Sequence, residues 1–141
     1  MQHTTTEKLM SVLKNASNFE DFLQHTQTKQ AEFSQMEYFD YLFDVKQVTK
    51  SQVIKSSLLD TYYAYQVFRG AKTPSRDKLL LLAFAFPLDV KETQLLLYIC
   101  HSEKLYVKNK RDSIILFALE KSYSLEKTND LLTEENVQTL I

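Results

Sequence analysis

The chain has 141 residues, 44% of them hydrophobic and 25% charged, with a formal net charge of -1, the balance of an ordinary soluble globular domain with room for helical extensions. A single Gly argues against a β-rich fold, whose tight turns need Gly. A single Cys excludes an internal disulfide and suits a reducing compartment. The first ten residues, MQHTTTEKLM, lack an apolar signal-peptide core, and the longest apolar run, Leu79–Phe86, is too short to cross a bilayer, so a cytoplasmic protein with no membrane partner is expected.

In chain order, Thr4–Asn15 reads as a short amphipathic helix with Leu9, Val12 and Leu13 on one face. Asn18 caps a second, with Phe19, Phe22 and Leu23 at helical spacing and Glu20 and Asp21 at its positive end. These two make up an N-terminal extension, residues 1–30, expected to pack as a lid on the main domain. His3 and His25 have no partner at metal-ligand spacing and read as surface residues.

Ser34 and Glu37 form a capping-box pattern at the start of the first core helix, with Met36, Phe39, Leu42 and Phe43 as its buried stripe. Thr49 and Gln52 repeat the pattern for a helix that turns Val53, Ile54 and Ser57 inward. Leu58-Leu59 is the turn, and Asp60 caps the following helix, Thr61–Arg69. On it Ala64, Val67 and Phe68 face inward, Tyr62, Gln66 and Arg69 outward, with Tyr63 and Tyr65 on the flanks. Gly70 ends it as a left-handed cap, Ala71–Pro74 is a loop, and Ser75 caps the next helix. A turn at Pro87-Leu88 leads to an Asp89-capped helix.

Residues 76–97 align without gaps on residues 111–132, at an offset of 35. Arg-Asp opens both copies; Ala83 matches Ala118, Thr93 matches Thr128, and Leu96-Leu97 matches Leu131-Leu132. The second copy is expected to be an α-hairpin stacked on the first. HSEKLYVKNK between them reads as a linker carrying a second basic cluster, and TEENVQTLI as a tail.

No enzymatic constellation is present: no phosphate loop, no CxxC, no HExxH and no G-x-S-x-G. Cys100 and His101 are sequence neighbours and diverge by about 100° on a helix, a poor nucleophile–base pair. Neither metal nor cofactor is expected. Charge is uneven. Residues 46–78 carry seven Lys/Arg against two acids, about +5, between flanks of about -4 and -2. A braced helix that projects polar and aromatic side chains can enter the major groove of double-stranded DNA. Thr61, Tyr62, Tyr63 and Gln66 are the candidate base contacts, Gln66 through adenine N6/N7. Arg69 at the end of the same face can read guanine, and with Lys50, Lys72, Ser75, Arg76 and Lys78 supplies candidate phosphate contacts at helix N-termini or in the loop. Arg76-Asp77 also reads as a structural pair at a helix start, since Arg111-Asp112 recurs outside this region. The competing reading is a helical protein-interaction module, favoured by the acidic flanking helices and a Tyr-rich face.

Residues 34–99 resemble the phage-repressor-type, or xenobiotic-response-element-type, helix-turn-helix. The resemblance rests on Val53-Ile54 with Ser57, on LDTYYAYQVF at 59–68, and on Gly70, Lys72, Pro74, Ser75, Arg76 and Asp77 before an apolar helix. In that family the F-x-G-x-x-x-P-S signature closes the recognition helix and starts the fourth helix; here it is Phe68, Gly70, Pro74 and Ser75. Lys50 stands where the family has a contacting Gln, and Leu58 where it usually has Gly. The whole chain also resembles bacterial regulators of this type that share Y-A-Y-Q, P-S-R-D-K-L and a second R-D hairpin. The resemblance implies an all-α protein with a lambda-repressor-like five-helix core at 34–100, a two-helix N-terminal extension and a C-terminal α-hairpin at 101–141. It implies a bacterial cytoplasmic regulator of transcription that binds double-stranded DNA; a homodimer is expected from the two-fold sites that such helices read.

Overall fold

Helices start in this chain where a side chain can accept the first unpaired N–H groups. The computed structural model describes residues 34–141 and shows this at each of its seven helices, with no strand among the described residues. They are α1 (Gln35–Lys46), α2 (Lys50–Ser57), α3 (Thr61–Phe68), α4 (Arg76–Ala85), α5 (Val90–Ile99), α6 (Lys110–Glu120) and α7 (Leu125–Glu134). Ser34, Thr49 and Asp89 complete capping boxes with Glu37, Gln52 and Glu92. The helices expected over Thr4–Asn15 and from Asn18, with His3 and His25, lie outside the described residues.

Helix ends use left-handed residues, and with one Gly in the chain most of these are not Gly. Gly70 has φ +81 and closes α3 with paired bonds, Gly70 N–H to Val67 O (3.0 Å) and Ala71 N–H to Gln66 O (2.8 Å). Gln47, Leu58, His101, Ser122 and Asn136 take φ between +53 and +64 at other ends, at a steric cost that Gly would avoid.

The core of the first five helices is an aromatic cluster. Phe43 lies 5.0 Å from Phe68 and 4.8 Å from Phe86, and Phe39 lies 5.3 Å from Phe68, so α1, α3 and the end of α4 share one apolar centre. The buried rings of Phe39, Phe68 and Phe86 contribute about 2–3 kcal/mol each, and half-buried Phe43 less. Val53, Ile54 and Ser57 of α2 and Ala64, Val67 and Phe68 of α3 are buried, as their spacing predicts. Met36 is not; it is 45% exposed and lies near Gly70 at the rim of α1. Tyr38 is fully buried and donates to Glu92 O (2.9 Å), and Lys46 pairs with Glu92 (2.7 Å), which ties α1 to α5. α2 packs on α4.

The repeat is realised in three dimensions at the same offset of 35. α5 and α7 have equivalent bounds, and Thr93 and Thr128 are both fully buried, donating to the carbonyls four residues back, Asp89 O (2.8 Å) and Ser124 O (2.7 Å). The repeat also runs further than residue 132. Arg76 donates through Nε to Glu103 O and through Nη2 to Lys104 O, both 3.0 Å. Arg111 does the same to Gln138 O (2.8 Å) and Thr139 O (3.1 Å), 35 residues on. Leu105 N–H bonds Gln94 Oε1, and Leu140 N–H bonds Asn129 Oδ1, each at 2.8 Å. His101 and Asn136 are both left-handed. The segment read as a tail is therefore the closing strip of copy two, equivalent to residues 101–105, and the units span 76–105 and 111–140.

The copies face each other reciprocally. Arg76 grips Asp112 through two bonds (3.0 and 2.8 Å), and Arg111 grips Asp77 through two of 3.0 Å. α4 packs on α7 and α5 on α6. Contact of i with j matched by j with i is the mark of a two-fold relation, here within one chain.

Candidate nucleic-acid interface

α2 and α3 are joined by a tight turn, Leu58-Leu59-Asp60. Leu58 turns the chain with φ +64, Ser57 Oγ accepts from Leu59 N–H (3.3 Å), and Asp60 Oδ2 accepts from Tyr63 N–H (3.0 Å). The hydrophobic face of α3 is consumed by the aromatic core. What remains is a stripe at i, i+3, i+4 and i+7: Tyr62 is 71% exposed, Tyr65 42%, Gln66 half-buried and Arg69 exposed. The Gln66 side chain makes no hydrogen bond among the described residues, which leaves its amide available to a ligand. Thr61 is exposed at the start of α3 and, with Tyr65, Ile54 and Leu59, lines a shallow groove of about 440 Å³ between α2 and α3.

Tyr63 lies half-buried beside α4, with Lys78 Nζ 4.8 Å from its ring centroid. That cation–π contact, worth about 0.5–1 kcal/mol at an exposed site, holds the Lys78 ammonium close to α3. Tyr63 thus acts more as a bracket for Lys78 than as an outward side chain. Lys50 is exposed at the first position of α2 and Ser75 at the cap of α4, where its Oγ accepts from Lys78 N–H (3.5 Å). Lys72 is exposed in the loop between α3 and α4.

That loop is held by a residue with no local sequence signal, Gln35. Its Nε2 donates to Val67 O and Lys72 O, both 2.8 Å, and its Oε1 accepts from Thr73 Oγ1 (2.9 Å). The first turn of α1 thereby fixes the end of α3 and the path of Lys72.

Arg76 corrects an expectation. Its guanidinium spends four donor bonds on Asp112 and on the carbonyls of Glu103 and Lys104, so it serves the scaffold and not a phosphate. It does not pair with Asp77 either, which goes to Arg111. Burial alone pushes the Asp112 carboxyl up, but the Arg76 bonds, the Tyr106 N–H and the Arg76 and Arg111 charges hold it below its ordinary range. Lys46 is likewise engaged, by Glu92. The positive field of this region therefore rests on Lys50, Lys55, Arg69, Lys72 and Lys78, all exposed. The acids beside these cations are Asp60, occupied in capping, and exposed Asp40, which feels the charge of Lys50.

Cys100 is buried, and burial pushes its thiol up to about 12, far from a nucleophilic thiolate. Among the described residues, no cluster of three or more His, Cys, Asp and Glu is placed to hold a metal ion, and no helix is long and apolar enough to cross a membrane. No family model, curated protein or solved structure matches the chain.

Proposed function

We propose that the protein is a sequence-specific binder of double-stranded DNA that regulates transcription. α3 serves as its recognition helix in the major groove, on a lambda-repressor-like five-helix core formed by α1–α5. The observation that carries this reading is the stripe Tyr62, Tyr65, Gln66, Arg69 on a short helix whose opposite face is anchored in an aromatic core. A groove-reading helix needs that combination of outward polar groups and rigid support. Gln66 suits bidentate bonding to adenine, and Tyr62 suits a thymine methyl or a phosphate. Thr61 sits at the entry to the groove. Arg69, Lys50, Lys72, Ser75 and Lys78 ring the helix and suit backbone phosphates. Homodimers on a two-fold site suit a single recognition helix per chain. The test is anisotropy of a labelled duplex drawn from genomic DNA at low salt. Gln66→Glu should weaken binding at least tenfold with an unchanged unfolding midpoint; equal binding by both proteins contradicts the assignment.

The second reading is a module of the same fold that binds protein. It is favoured by the α2–α3 groove, where exposed Leu58 and Tyr65 stand beside half-buried Leu59. One partner recovered by pull-down and unaffected by nuclease would support it over the first.

A further inference from the structure

The reciprocal Arg–Asp grips place two loops side by side. Residues 71–75, before α4, and residues 106–110, which run up to and include the first residue of α6, are equivalent at the offset of 35, and both lead directly into the gripping residues. Arg76 at the first position of α4 bonds Asp112 in the first turn of α6 at 2.8 Å, and Arg111 bonds Asp77 at 3.0 Å. The N-terminal ends of α4 and α6 are therefore one ion pair apart, held by two such pairs.

The second loop is braced by hydrogen bonds and exposes Tyr106, Val107, Lys108 and Lys110. Tyr106 N–H donates to Asp112 Oδ2 (3.0 Å), Asn109 N–H to Tyr106 O (3.0 Å), and Asp112 N–H to Asn109 Oδ1 (2.9 Å). Both ends of the loop are thus tied to Asp112, while Tyr106 is 59% exposed and Lys108 and Lys110 are exposed. Lys110 has one loose ion pair, 3.8 Å to Glu135, across a gap open to solvent. The exposed cations Lys108 and Lys110 lead into the N-terminal end of α6, which the grips hold beside the N-terminal end of α4 with its exposed Lys72 and Lys78.

We infer that the loop Tyr106–Lys110 is a second phosphate-contacting element, in which Lys108 and Lys110 grip the DNA backbone beyond the stretch read by α3. This role presupposes that the chain binds duplex DNA through α3. It explains a use for the duplicated hairpin: the clamp turns the second copy into a rigid arm that widens the footprint of the first. Each phosphate contact contributes about 0.9 to the slope of log K against log salt, whatever the base sequence. Lys108→Ala combined with Lys110→Ala should therefore reduce that slope by about 2 for a mixed-sequence duplex, and reduce affinity equally for specific and non-specific sites. Lys121→Ala with Lys127→Ala removes the same charge from the residue that ends α6, roughly 15 Å along that helix from Lys110, and from the first turn of α7, and should leave the slope within about 0.5 of the parent.

The measurement is anisotropy of a labelled mixed-sequence duplex across a salt series, with the urea midpoint of each variant checked against the parent. A lowered slope in the first variant alone supports the role. An unchanged slope in the first variant, with the parent still binding, overturns it and leaves the α3 reading intact. An equal drop in both variants also overturns it, since net charge then accounts for the change. A parent protein that does not bind the duplex removes the α3 reading, and this role with it.

Discussion

Replacing Arg76 by Ala should destabilise the fold far more than the chemically identical change at Arg111. The Asp112 side chain is 8% exposed and that of Arg76 25%, whereas Arg111 and Asp77 are 19% and 37% exposed. Removing one partner of a buried pair costs about 3–5 kcal/mol, because the other charge is left without solvent or counterion. Asp112 keeps the Tyr106 N–H and Arg76 is a quarter exposed, so the cost falls to about 2–3 kcal/mol. Asp77 can be rehydrated in place, and Arg111→Ala should cost about 1 kcal/mol. At about 4 °C per kcal/mol these are falls in Tm of about 8–12 °C and about 4 °C. The sign of the pH effect follows from the depressed Asp112 carboxyl. Its contribution is complete above the ordinary value of 3.8 and is lost as pH falls through the lower folded value. Arg76→Ala removes that contribution, so the stability gap between parent and variant should narrow as pH drops below about 4. Calorimetry from pH 7 to pH 3, with the Arg76→Ala/Asp112→Asn double variant to close a cycle, gives the coupling directly. Equal costs at Arg76 and Arg111, or a coupling near zero, would refute the assignment of the first grip as the stronger one.

Other consequences are more local. Leu58→Gly should raise the urea midpoint by the equivalent of about 0.5–1 kcal/mol, because φ +64 strains a side chain that is 62% exposed and loses little on removal. Thr93→Val and Thr128→Val should each cost about 1 kcal/mol by chemical denaturation, since each exchanges a buried hydroxyl's bond for a methyl against the same carbonyl. Cys100 should resist thiol reagents in the native state at pH 8 and react at the rate of unfolding, because burial holds its thiol near 12. Gln35→Ala should weaken DNA binding severalfold while leaving α3 folded, by freeing the loop that carries Lys72.

The parts of this fold legible in the sequence are those whose causes are local. Ser34 with Glu37 and Thr49 with Gln52 act across one turn, so the starts of α1 and α2 can be read from spacing alone. The inward faces of α2 and α3 are likewise periodic and match the buried residues. Met36 satisfies the same periodicity but lies where α1 overhangs its core, and no pattern records where a partner helix stops. The role of Arg76 cannot be read from spacing, because its partners lie 27 to 36 residues away and only the fold brings them near. The closing strips at 101–105 and 136–140 share few residue types; their equivalence lies in main-chain carbonyls that Arg76 and Arg111 address, and carbonyls leave no mark in a sequence. Gln35 is hidden for the same reason: two of its three partners are backbone oxygens. Helical spacing puts Tyr65 on the flank of the α3 face, yet it is exposed beside Gln66, because the outward arc of a short helix on the rim of a core is wider than one stripe.

The most direct test of the central reading is selection of duplexes from a genomic pool by the purified protein, followed by a salt titration on the recovered sequence. The account predicts enrichment of one sequence and a fall in log K of at least about 3.6 per decade of salt, the four cations Lys50, Arg69, Lys72 and Lys78 each displacing a counterion. Tyr62→Ala should abolish the enrichment and leave the fold untouched, since that ring is 71% exposed. A pool that emerges unchanged, with no retention of DNA even at low salt, would contradict it.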